Sequence, residues 1–215
     1  MQTRTAKLVS LSDQVYEHLR LAIISGEVAQ GEKLVEMDIA AQMGTSQGPV
    51  REALQRLERD GLVERRARSA TFATSISMDE MHELFAVRST IEGFAIRRTA
   101  QKITTEQCDE LDDLIQKMAD AGRQQALMIL AQHDMQFHRR IVEWADSAGL
   151  LRVWMPLSSQ IQRFIVQSHP LHYSDFVEIG TRHQPILDAL RARNGDEAFQ
   201  AIQDHVMHIW SRINT

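Results

Sequence analysis

Apolar residues recur at steps of three and four through most of this chain, the spacing that gathers them on one side of an α-helix. Over 12–25 they fall at Val15, Leu19, Ala22 and Ile23, with Ser12 placed to cap the start and Gly26 to stop the end. A shorter run over 36–43 carries Ile39, Ala40 and Met43, and "GTS" breaks it. A third begins near Ser46, carries Val50, Leu54 and Leu57, and stops at Gly61. Pro49 sits in its first turn, where a missing N–H costs little. The period then changes: in "GLVERRARSATFATSIS" two β-prone pieces, 62–66 and 71–75, flank a basic turn, which predicts a hairpin. From Met78 the helical spacing returns and predicts six helices, about 78–101, 105–121, 125–146, 148–167, 174–193 and 195–213. Asp79, Thr104 or Thr105, and Ser174 are the candidate caps.

Two short helices joined by a tight turn and followed by a hairpin make a winged helix-turn-helix, whose second helix reads the major groove of DNA. Six long amphipathic helices make an antiparallel bundle whose core can hold a ligand or metal. The predicted class is mainly α, with a DNA-binding domain over 1–75 and an all-α helical bundle over 76–215.

Charge sharpens that division. Residues 1–75 hold ten lysines and arginines against ten acids, so the formal net charge of −5 belongs to the remainder. An acidic protein with its arginines gathered at Arg51, Arg65, Arg66 and Arg68 carries a local phosphate-binding face rather than a general affinity for nucleic acid. The plainer alternatives are an ion pair from Arg51 to an acid such as Glu58, and a solvated basic turn. No apolar run of about 18 residues is present, so no membrane span is expected. "MQTRTAKLVSLSD" lacks an apolar signal core, which points to the cytoplasm. Cys108 is the only cysteine, so neither an internal disulfide nor a cysteine metal site can form.

In "HDMQFH", Asp134 and His138 stand four apart on one helical face, and a carboxylate with an imidazole suits a divalent metal. His133 points about 100° away. His183 and His205 lie among apolar neighbours on later helices, as hydrogen-bonded core residues or as ligands. His208, one turn beyond His205, is the competing candidate. Arg88 has Glu92 four residues on, the spacing of a helical ion pair that competes with any effector role implied by the resemblance given below, for which Arg163 is a second candidate. For a metal-dependent enzyme the sequence lacks a convincing general base beside the site, a nucleophile motif and a second metal cluster, and it has no HExxH pair or Gly-rich phosphate loop. Such an enzyme would also have no use for the first 75 residues.

The stretch "VYEHLRLAIISGEVAQGEKLVEMDIAAQMGTSQGPVREALQRLERDGLVERR" resembles the winged helix-turn-helix of the GntR family of bacterial transcription regulators. "VRSTIEGFAIRRTA", "HDMQFHRRIVEWA" and "RHQPILDALRARNGDEAFQAIQDHV" resemble the FCD ligand-binding domain of its FadR subfamily, and six helices resemble the shorter, VanR-like branch. The resemblance implies a homodimeric regulator, in most members a repressor released from a palindromic operator by a small carboxylate effector. It implies DNA contacts from Ser46, Gln47, Gly48, Arg51, Arg65, Arg66 and Arg68. It implies metal ligation by Asp134, His138, His183 and His205, and effector binding by Arg88. Zinc is favoured by its availability and the nitrogen donors, with nickel, iron and manganese chemically open. Whether the ion is sensed, holds an effector or serves the fold stays open. Three positions depart from the family pattern: Gln47 and Met37 where arginine is common, and Ala70 where the wing has glycine. Gln pairs with adenine where Arg prefers guanine, so the operator sequence is expected to differ from the common one.

Overall fold

A computed structural model describes residues 10–66 and 70–213 and divides the chain into two compact units, 1–75 and 76–215. In the first unit, helix α1 (Leu11–Ser25) is followed by strand β1 (Lys33–Leu34), helices α2 (Glu36–Gln42) and α3 (Gln47–Arg59), and strands β2 (Val63–Arg66) and β3 (Ala70–Ala73). The cap of α1 is Ser10, not Ser12: the Ser10 hydroxyl accepts from the Asp13 amide, while Ser12 is buried. Gly26 closes the helix with φ 87°, a left-handed conformation that glycine adopts without strain. The hairpin gains a third member. β1 pairs antiparallel with β3, Lys33 opposite Phe72 and Leu34 opposite Thr71, giving the order β1-β3-β2. Two residues are too few to show an alternation, so spacing in the sequence gives no sign of this strand.

Val15, Leu19 and Ile23 of α1 bury against Val50, Leu54 and Leu57 of α3, with Leu62 and Val63 closing the core. The far end of α3 is clamped to α1 as well. The Tyr16 hydroxyl donates to Asp60 at 2.6 Å, and Arg56 lies 4.0 Å over the Tyr16 ring while pairing with Asp13 at 2.6 Å. These contacts leave the first turn of α3 facing outward.

The second unit holds helices α4 (Met78–Ala100), α5 (Thr105–Arg123), α6 (Leu127–Trp144), α7 (Ala148–His172), α8 (Val177–Thr181), α9 (Gln184–Arg191) and α10 (Gly195–Ile213). Ser77 rather than Asp79 caps α4, exchanging hydrogen bonds with Glu80 in a capping box, and Thr104 does the same for α5 with Gln107. The helix expected over 174–193 is two helices. Pro185 has no N–H to continue a helix and its ring crowds the carbonyl four residues back, so it sits in the first turn of α9 and the hydrogen-bond ladder breaks at 182–183, although Arg182 and His183 keep helical backbone angles. Ser174 therefore caps nothing, and Phe176 takes the cap position of α8.

Two glycines set how closely α8 lies on α5. A Cβ on Gly122 would fall 2.8 Å from the backbone of Phe176 and Val177, and one on Gly180 would fall 3.0 Å from Ala119 and Met118. Substituting Gly122→Ala is expected to cost about 1–3 kcal/mol in overpacking. Its melting temperature should drop by about 2–4 °C per kcal/mol in a calorimetric scan. Gly48→Ala, whose new methyl meets nothing nearer than 3.9 Å, should not lower it.

Candidate metal centre and nucleic-acid interface

Helix α6 carries Asp134 and His138 on its buried face, the α8–α9 break presents His183, and α10 brings His205. One ligand atom from each of the four lies within 4.8 Å of all the others. His138 and His183 are fully buried, Asp134 is 3% exposed, and His205 is partly exposed at the edge of the cluster. Among the described residues this is the group that could hold a metal ion; His133 and His208 stand outside it.

Hydrogen bonding fixes the ring tautomers. His183 Nδ1 lies 3.0 Å from the Ile179 carbonyl oxygen and 3.1 Å from that of Gly180. Carbonyls only accept, so Nδ1 carries the proton and Nε2 keeps a lone pair. That lone pair faces Asp134 Oδ1 at 3.1 Å, an approach of two acceptors unless a cation or a second proton lies between them. His138 Nδ1 likewise donates to Glu92 Oε2 at 2.7 Å, turning Nε2 inward. His138 Nε2, His183 Nε2, His205 Nδ1 and Asp134 Oδ2 are all buried without a hydrogen-bond partner. Buried polar groups are normally satisfied, so several orphaned acceptors converging on one point fit a cation.

The protonation states suit ligation. Burial pushes the Asp134 carboxyl upward, but the His183 contact and the Arg88 guanidinium pull it the other way, and the net direction is below its usual range. Burial lowers His138 and, further, His205, keeping the rings neutral with lone pairs available. Oxygen and nitrogen donors in this mixture fit zinc, nickel, iron or manganese.

Arg88 makes the ion pair with Glu92 and keeps one nitrogen in reserve. Its Nε donates to Glu92 Oε1 at 2.7 Å, while Nη2 is buried without a partner. The residue lines a small cavity of about 30 Å³ together with Asp134, His205, His169, Tyr173 and Arg182. Arg163 is buried on α7 and is not among the residues that line that cavity. Burial also lowers its guanidinium below the ordinary value. His169 on the cavity wall is held down to about 4, chiefly by burial.

Sequence reasoning missed two groups. Glu92, fully buried, enters the sequence only as a helical neighbour of Arg88, yet it also accepts from Trp154 Nε1 at 2.7 Å. His138 and Trp154 lie 46 and 62 positions away from it, so no local pattern points to either contact. Burial pushes the Glu92 carboxyl up, but the charge of Arg88 and the hydrogen bonds from Arg88 and His138 prevail and hold it at about 2.

In the first unit Ser46, Gln47, Gly48 and Arg51 are exposed at the start of α3. Ser46 takes the cap position without using its side chain there. Arg51 is 55% exposed and pairs with Glu36 of α2, at 2.9 Å from Nη2 and 3.2 Å from Nε. The expected rival partner, Glu58, instead meets Arg65 at 3.4 Å. Arg66 pairs with Glu64 at 2.6 Å and lies 4.6 Å over the Phe72 ring. Arg68 lies outside the described residues. Met37 is 64% exposed on α2. Ala70 pairs with Arg66 in the sheet and is not among the described residues with positive φ, so the lost wing glycine causes no strain at that position.

Comparison with known proteins gives two family matches, "Bacterial regulatory proteins, gntR family" over residues 11–73 and "FCD domain" over residues 83–208. The chain is 31% identical over 198 residues to a probable D-xylose utilization operon transcriptional repressor of Paenarthrobacter nicotinovorans, covering 92% of this chain and 86% of that one. It is 27% identical over 209 residues to the HTH-type transcriptional repressor RspR of Escherichia coli K12, covering 97% and 91%. The solved structure of E. coli McbR/YncC superposes with a TM-score of 0.79 at 20% identity, over 95% of this chain and 97% of that one, a likeness of fold.

Proposed function

We propose a mechanism on the premise that this chain belongs to the GntR family of bacterial regulatory proteins and carries an FCD domain, and is thereby a DNA-binding transcription regulator. Residues 1–75 read a two-fold operator as a homodimer, and residues 76–215 hold one divalent metal, zinc by preference, and a small carboxylate effector. In keeping with the repressors among its relatives, the chain represses and is released by that effector.

The observation that carries the sensor half is the set of buried, unpartnered acceptors of Asp134, His138 and His183 beside the unpartnered Nη2 of Arg88. Asp134, His138, His183 and His205 would hold the ion, and the ion would supply a Lewis-acidic site for an oxygen anion. Arg88 holds the anion's other oxygen by charge-assisted hydrogen bonding, and Arg182 adds positive charge on the cavity wall. The cavity has room for little more than a water. A carboxylate must therefore part the lining side chains, which gives the effector a preference between two packings. Coupling of about 1–3 kcal/mol would change operator affinity about 5- to 150-fold.

On the DNA side, exposed Ser46, Gln47, Gly48 and Arg51 offer hydroxyl, amide, backbone and guanidinium donors where a groove-reading helix presents them, and Arg65 and Arg66 flank them on the wing. The dimer is supported by apolar side chains left bare on two packed helices: Val87 and Phe94 on α4, at 46% and 62% exposure, and Val153 and Met155 on α7. Phe94→Asp is expected to yield folded monomers by light scattering and to weaken operator binding at least tenfold, since one reader makes only half the contacts.

Burial of three of the four ligands favours a second reading, in which the ion serves the fold alone. The deciding experiment titrates small mono-, di- and hydroxycarboxylates into protein bound to operator selected in vitro, with metal loaded and with metal chelated. Our reading expects one carboxylate to shift affinity 5- to 150-fold in the metal-loaded protein only, and Arg88→Ala to erase the shift. A fold-serving ion predicts no shift with any of them and a lower melting temperature on chelation.

A further inference from the structure

We infer that Glu92 is a positioning residue which sets the metal affinity of the bundle and carries the state of that site to helix α7 through Trp154. The inference rests on the metal reading above. Its basis is one buried carboxylate with three donors from three helices. Oε1 accepts from Arg88 Nε on α4 and from Trp154 Nε1 on α7, and Oε2 accepts from His138 Nδ1 on α6, each at 2.7 Å. Glu92, His138 and Trp154 are at most 1% exposed, so water does not substitute for any of these bonds.

Each bond constrains something different. The bond from His138 holds the proton on Nδ1, which leaves Nε2 free to ligate, and it raises the basicity of that nitrogen. The bond from Arg88 orients the guanidinium so that Nη2 remains unpartnered beside the cavity. The bond from Trp154 fastens the N-terminal part of α7, which also presents Val153 and Met155 outward. Trp154 packs with Ile91, Ala95, Val142 and Ala145 of α4 and the end of α6, so its ring cannot shift without disturbing both helices. A small movement of His138 on taking up an ion therefore reaches α4 and α7 through one side chain. The indole N–H has no alternative acceptor of comparable charge among the contacts described for it.

Glu92→Gln preserves size but replaces one accepting oxygen with a donating NH2. That group cannot accept from His138 Nδ1 and competes to draw the proton to Nε2. The test uses the full chain and zinc alone as probe, with three measurements run together: zinc affinity by chelator competition, the melting temperature without metal, and the zinc-dependent shift of the Trp154 indole N–H resonance, assigned by its loss in Trp154→Phe. The wild type should bind zinc and shift that resonance. Glu92→Gln should bind about 10- to 100-fold more weakly, the usual effect of removing a partner behind a ligating histidine. Trp154→Phe should bind zinc within about threefold of wild type, because the His138 bond to Oε2 survives. A folded Glu92→Gln protein with wild-type affinity overturns the affinity part. An indole resonance of the wild type indifferent to saturating zinc overturns the coupling to α7, and it can be read even if Glu92→Gln does not fold. A wild type that binds no zinc overturns the metal reading itself, a distinct outcome.

Discussion

His183→Ala is expected to lower zinc affinity by about two to three orders of magnitude. Binding to a complete four-ligand site is worth about 10–16 kcal/mol in small zinc domains, so one ligand in four accounts for roughly 3–4 kcal/mol, and each 1.4 kcal/mol is tenfold. The side chain is fully buried, so alanine also leaves a cavity and destabilises the metal-free protein. The informative quantity is thus the rise in melting temperature on adding zinc, which mass action makes large for the wild type and close to zero for the variant at moderate zinc. His133→Ala and His208→Ala should keep the zinc-dependent rise, since neither residue belongs to the converging set. Equal losses in all three variants would mean that zinc binds elsewhere or only to the unfolded chain.

The second large effect is expected at the other end of the chain. Arg51→Ala should reduce affinity for the selected operator about ten- to a hundredfold for each half-site, the range of a lost bidentate contact to a base. Metal content and melting temperature should stay at wild-type values, because Arg51 is 55% exposed and its bond to Glu36 lies at the surface. Comparing specific with nonspecific DNA separates two roles: a base contact relaxes preference at one position, whereas a phosphate contact weakens all sequences alike and flattens the salt dependence. On the proposed reading Glu36 would compete with DNA for the same guanidinium, so Glu36→Gln should bind operator no more weakly than wild type. Strong loss of binding in Glu36→Gln would show that the ion pair, rather than its release, serves recognition.

Much of this architecture is legible in the sequence because the helices are amphipathic and end on strong local signals. Val15, Leu19 and Ile23, or Leu111, Leu114, Ile115 and Met118, fall into the core by spacing alone. Ends are less legible: Ser10 and Ser77 take caps assigned to Ser12 and Asp79, because serines and acids crowd both starts and only geometry selects among them. The division of 174–193 is foreshadowed by Pro185, which cannot donate the hydrogen bond that would carry one helix through it, although apolar residues continue on both sides. For the site, the spacing of Asp134 and His138 puts them on one face, while the approach of His183 and His205 depends on packing of helices far apart in sequence. It enters the sequence reading only through family resemblance. Glu92 was invisible as anything but an ion-pair partner, since its other two donors come from different helices.

Anomalous diffraction from crystals of the zinc-loaded protein tests the central claim most directly. The account predicts one zinc peak per chain, about 2.0–2.2 Å from an oxygen of Asp134 and from one nitrogen each of His138, His183 and His205. A peak at other residues, or these four side chains hydrogen-bonded to one another with no ion among them at saturating zinc, would contradict it.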